Sequence, residues 1–173
     1  EETVKKYFSR PEILKQKENL LILDIGSGTG IQIQSVKRLG YEKLLAVDIN
    51  QKAITHIKKQ GISAIESDLF SALSHKKFDV IMFNPPYLPA DIREPKASNI
   101  QTTGGKKGYE LILRFLDGAK NHLAKKGKII LLFSSLSKPS VIKKYARKKG
   151  FRLKLLNKKK IFFEELFVYE ISR

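Results

Sequence analysis

LLILDIGSGTG, residues 20–30, decides how the rest of the chain is read. Leu20-Leu21-Ile22-Leu23 is an apolar run without polar alternation, the pattern of a strand buried on both faces. It runs through Asp24-Ile25 into Gly26, Gly28 and Gly30, with Ser27 and Thr29 between them. A glycine-rich turn of this kind brings backbone close to a ligand. The helical segment that follows, to about Leu39, completes the first βα unit of a parallel sheet.

Outward from this turn the alternation continues. A second strand, Leu44 to Val47, ends at Asp48, and Asn50 is placed to cap a helix that reaches Gln60 and closes at Gly61. A third strand, Ile62 to Ile65, leads to Glu66-Ser67-Asp68-Leu69-Phe70. The fourth, Phe78 to Phe83, stops at Asn84-Pro85-Pro86-Tyr87. Residues 88–107 hold Pro89, Pro95, Gly104 and Gly105 and read as a long loop of the kind that serves function. Then come a helix from about Gly108 to Ala124, a strand from Lys128 to Phe133 and a helix from Pro139 to Lys149. Two last strands, Phe151 to Leu156 and Ile161 to Ile171, are close enough for a hairpin. The expectation is one α/β domain over 1–173, a parallel sheet covered by helices with an antiparallel edge.

Composition narrows the class. At 173 residues, 42% apolar and 29% charged, the chain suits a soluble globular domain, and no apolar run approaches a membrane span. The absence of cysteine excludes a disulfide frame and a thiolate metal site, so a cytoplasmic protein without a metal is expected. His56, His75 and His122 are scattered and read as surface residues. The first residue is Glu1, as in a truncated or processed N terminus. Net charge is +17, and residues 96–160 carry 19 Lys and Arg against Glu110 and Asp117. So one-sided a distribution points to a polyanionic partner, such as RNA or the ribosome, or to an acidic protein.

Ligands of open α/β sheets sit at the carboxyl ends of the strands. Gly28 and Asp48 are 20 residues apart, which suits an adenosine-bearing cofactor whose ribose the acid can grip. The turn is G-x-G-x-G, not the dinucleotide G-x-G-x-x-G, and Asp24 beside it is an awkward neighbour for a pyrophosphate. An acid there is tolerable beside a cation, and S-adenosylmethionine, with a sulfonium, an ammonium and no phosphate, is such a ligand. Asp68 can accept from the adenine amino group while Leu69 offers apolar contact.

Asn84-Pro85-Pro86-Tyr87 then specifies the acceptor. The lone pair of a carboxamide or aromatic amino nitrogen is delocalised, and in-line transfer needs it aimed at the methyl carbon. Two acceptors on the two N–H bonds, the Asn84 side-chain oxygen and the Pro85 carbonyl, would orient the group and stabilise developing positive charge. Pro85 and Pro86 stiffen that backbone, and Tyr87 can stack on the planar group. Glutamine, adenine and the exocyclic amine of guanine all satisfy this geometry.

The ordered set of glycine turn, Asp48, Asp68 and NPPY resembles the class I S-adenosylmethionine-dependent methyltransferases over essentially the whole chain. That resemblance implies a Rossmann-like seven-stranded, mostly parallel sheet of order 3-2-1-4-5-7-6, last strand antiparallel, with helices on both faces. It further implies cofactor contacts at Asp24, Gly26, Ser27, Gly28, Thr29, Gly30, Asp48, Ile49, Asp68, Leu69 and Asn84, and catalytic roles for Asn84, Pro85, Pro86 and Tyr87. With Gly104-Gly105 and Gly108 ahead of a long helix, the chain is most similar to the short HemK-like glutamine methyltransferases of archaea and eukaryotes. These modify the glutamine of the Gly-Gly-Gln motif in class I release factors, with a small zinc-binding Trm-type activator docked along the third strand. Glu1-Glu2-Thr3-Val4 looks like the end of a family segment before the first strand, which makes Thr3 a further cofactor contact by resemblance. The basic half keeps an adenine or guanine amino group in RNA or DNA as the alternative acceptor.

Overall fold

The computed structural model describes residues 1–87 and 103–173. Among them a seven-stranded sheet has the order β3-β2-β1-β4-β5-β7-β6. The strands are β1 (Ile22–Ile25), β2 (Leu44–Asp48), β3 (Ser63–Glu66), β4 (Phe78–Phe83), β5 (Leu123–Ser134), β6 (Arg152–Ile161) and β7 (Glu164–Ser172). Pairings from β3 through β5 are parallel, and β7 is antiparallel to both β5 and β6. The expected order and the antiparallel last strand are therefore what the chain adopts.

Alternation along the central strands sorts side chains into two cores. Leu23, Ile25, Ile81 and Phe83 face one side, where they meet Ile112, Phe115 and Leu116 of α5 (Glu110–His122) and Ile142 of α6 (Pro139–Lys148). Ile22, Val80 and Met82 face the other side, against α1 (Glu2–Phe8), α3 (Ile31–Lys37) and α4 (Gln51–Lys59). A short α2 spans Pro11–Leu14. Asn50 caps α4 by accepting from the Lys52 N–H at 2.9 Å, and Gly61 follows it at φ +69°.

Several features depart from the sequence reading: α2 was not expected, β5 starts at Leu123 ahead of the expected Lys128, and β7 starts at Glu164 after the expected Ile161. Helix α1 was not expected, because seven residues are too few to show a period; Val4, Tyr7 and Phe8 nonetheless share one buried face. It is held by Tyr41, whose hydroxyl donates to the Phe8 carbonyl at 2.8 Å. Strand β6 runs on to Ile161 instead of stopping at Leu156, since Lys158 to Ile161 pair across the hairpin with Glu164 to Phe167. Lysines on an edge strand carry no apolar alternation, so the extension was hidden. His122, expected on the surface, is buried and stacks on Phe70 with ring centroids 4.8 Å apart. Most of the expected loop, 88–102, lies outside the described residues; its end forms a bridge at Thr103 and a turn that leads into α5.

Candidate active site

The carboxyl ends of β1, β2 and β4 and the segment after β3 open onto one cleft of about 1140 Å³. Its walls include Gly26, Gly28, Thr29, Asp48, Ile49, Asp68, Leu69 and the run Asn84 to Tyr87. Parallel strands with short βα turns bring these residues together although they span more than 60 positions of chain.

The glycine turn is built for close approach. Gly26 and Gly28 have φ of +62° and +52°. A Cβ at Gly26 would lie 3.3 Å from the Phe83 ring, whereas one at Gly28 would project into open space. Ser27 and Gly30 are absent from the wall and act behind it. The Ser27 hydroxyl donates to the Asp24 carbonyl at 2.7 Å, and a Cβ at Gly30 would stand 3.0 Å from Ile57 of α4. Asp48 ties this turn to β2: its Oδ2 accepts from the Gly28 N–H at 2.7 Å and its Oδ1 from the Asn50 N–H at 2.8 Å. Each carboxylate oxygen keeps acceptor capacity for a ligand hydroxyl.

Asp24 lies fully buried beneath the turn, and its Oδ2 has no hydrogen-bond partner. Burial pushes its carboxyl up to about 7, opposed by the polar Ser27 hydroxyl and Ile33 N–H beside it, with the Asp48 charge adding to the rise. A buried, underbonded carboxyl suits a cation nearby. Ile49, 58% exposed, and Leu69, in the left-handed region at φ +51°, supply the apolar surface that a purine needs. The residues present therefore fit S-adenosylmethionine.

Asn84 is exposed at the cleft wall, Pro85 is buried behind it, and Pro86 and Tyr87 are half-buried. The Tyr87 carbonyl accepts from the Ser137 hydroxyl at 3.0 Å. Gly104 backs the motif: a Cβ there would fall 2.7 Å from the Pro86 carbonyl oxygen and 2.6 Å from that of Gly108. Burial and the Glu164 carboxylate raise the Tyr87 hydroxyl above its ordinary value.

The model of the methyltransferase small domain matches residues 11–150. The chain belongs to the methyltransferase small-domain family. A Methanocaldococcus jannaschii protein provisionally named protein N5-glutamine methyltransferase is 38% identical to this methyltransferase over 164 residues, covering 90% of this chain and 83% of that protein. The release factor glutamine methyltransferase of Aquifex aeolicus is 28% identical over 83% of this chain, which spans 56% of that longer protein. In fold, the methyltransferase matches a chain of the E. cuniculi Mtq2-Trm112 complex with a TM-score of 0.75, at 24% identity over 99% of this chain and 93% of that one.

Not every expected residue reaches the cleft. Thr3 is on α1, where its hydroxyl accepts from the Asn157 side chain at 2.8 Å, and it does not line the site. Conversely, His56 lines the rim and bonds Gln60 at 2.7 Å, although it was expected to be an unrecruited surface residue. Arg114 and Glu164 were missed altogether. Arg114 of α5 donates to Asp68 Oδ2 at 2.7 Å, and Glu164 at the start of β7 accepts from the Ser134 hydroxyl. Both contacts join elements far apart in the chain, and no local pattern could announce them. Among the described residues no group of three or more acidic, His or Cys side chains could hold a metal, and no helix is long and apolar enough to cross a membrane.

Proposed function

We propose that this methyltransferase modifies the side-chain amide of the glutamine in the Gly-Gly-Gln motif of a class I translation release factor. The carrying observation is Asn84-Pro85-Pro86-Tyr87 on the wall of the cleft that the glycine turn also lines. S-adenosylmethionine supplies the electrophilic methyl group. Asp48 would hold the ribose hydroxyls, Asp68 the adenine amino group, and Asp24 the positive field of the methionine end. Asn84 and the Pro85 carbonyl would accept from the two amide N–H bonds, with Tyr87 against the plane of the amide. The names of the archaeal and Aquifex relatives support glutamine as acceptor. So does the neighbouring complex, described as responsible for methylation of the termination factor eRF1.

That complex also supports a small Trm112-type activator as partner. The surface suited to it is the outer edge of β3, where Ser63, Ile65 and Glu66 are exposed. The working compartment in this reading is the cytoplasm, where release factors act. One observation favours a second acceptor: the excess of 19 bases over two acids in residues 96–160 suits RNA. Radiolabelled S-adenosylmethionine, offered with activator to release factor and to total RNA in parallel, separates the two. Label on the factor that disappears when its Gly-Gly-Gln glutamine is replaced is the expected result. Label on RNA alone would replace glutamine by a nucleobase amine.

A further inference from the structure

At the β6–β7 hairpin the two most exposed large apolar side chains of the described chain stand together: Phe162 is 95% and Phe163 99% exposed. Ile161 pairs with Glu164, so these phenylalanines alone form a two-residue turn. With positive φ at its first residue only, a turn of this kind favours Gly there. Phe162 is held at φ +36°, a region that bulky side chains avoid. Turn chemistry therefore opposes Phe-Phe here, and packing within the fold does not explain it.

The position does. Glu164, next in sequence, lines the cleft and accepts from Ser134 at the end of β5. The Glu165 N–H donates to the Ser135 hydroxyl at 3.0 Å, and its carboxylate pairs with Lys158 at 2.7 Å. The root of the hairpin is pinned to the wall that also bears Tyr87, and at most about 8 Å of chain separates Phe162 from Glu164. From this geometry we infer that Phe162-Phe163 is a docking prong for the body of the protein substrate, seated in an apolar patch of that protein while its acceptor side chain enters the cleft. The inference rests on the release-factor reading above. A protein fits better than a nucleic acid, since the tip of the hairpin presents two exposed apolar rings, with the lysines set behind it on β6. Lys159 and Lys160, exposed on β6, suit an acidic border to the patch.

The test uses two double variants of the full chain with its activator, F162S/F163S and F162G/F163N. The second installs the residues that the turn prefers, so a loss of fold cannot account for its behaviour. Both are expected to keep the melting temperature and the cofactor dissociation constant of the parent. The KM for release factor should rise about 10- to 100-fold through loss of two buried rings, with kcat unchanged. An unchanged KM would overturn the prong while leaving the substrate reading intact. Unchanged KM together with weakened retention of total RNA on a filter would overturn it in favour of a nucleic-acid contact. A parent enzyme that fails to methylate release factor would refute the substrate reading, and the prong with it.

Discussion

Removing the Asn84 carboxamide deletes one of two proposed acceptors and leaves the Pro85 carbonyl in place. Asn84→Ala should lower single-turnover label transfer by about 100- to 1000-fold. Calorimetry should give an unchanged cofactor dissociation constant, and a parallel loss of binding would move Asn84 from the acceptor to the cofactor. Asp24 sets a pH dependence. Its carboxyl is raised from 3.8 to about 7 on folding, so the folded chain holds this proton more tightly than the unfolded one. That contribution to stability is complete below about pH 4 and is lost as the pH climbs through about 7. Asp24→Asn should therefore be more stable than the parent at pH 8, by at most about 4 kcal/mol, and the advantage should vanish by pH 4. Melting curves across that range check the sign. Asp24, Asp48, Asp68 and Asn84 were each legible as strand-end residues whose types suit one chemistry. Arg114 was not: a lone arginine within a helix gives no hint that it will reach Asp68 from another element.

Helix α5 shows how an element can be legible in extent and hidden in detail. Its apolar periodicity locates it, but Gly118 in its interior is unexplained by any helical rule. The structure supplies the reason: a Cβ there would lie 2.5 Å from the Phe70 ring. That ring cannot yield, being stacked against Phe115 at 5.5 Å and His122 at 4.8 Å. Gly118→Ala would gain about 1 kcal/mol of helix propensity and lose about 1–3 kcal/mol to overpacking. A lower melting temperature is expected, and a higher one would show that Phe70 can move aside. The same distinction explains β6. Its Lys158 to Ile161 segment is a strand because β7 pairs with it, and an isolated reading of Lys-Lys-Lys sees only charge.

Over the whole molecule, the sheet ends in two unlike edges. β6 is guarded by Lys154, Lys158, Lys159 and Lys160, which oppose strand addition, whereas β3 exposes Ser63, Ile65 and Glu66 without such a guard. A Trm112-type activator seated there should slow amide hydrogen exchange across Ser63 to Glu66 and leave β6 unchanged. Protection at β6 instead would put the partner on the opposite edge. By itself the sequence determined the succession of strands and helices along the chain, the glycine turn and the residue types at each strand end. These follow from local periodicity and turn chemistry, which depend on near neighbours in the chain. Tertiary structure alone decided that Thr3 turns away to Asn157, that Arg114 meets Asp68, and that Glu164 reaches the cleft from the start of β7. Each of these depends on which distant surfaces the sheet brings within bonding distance, and that is a property of packing.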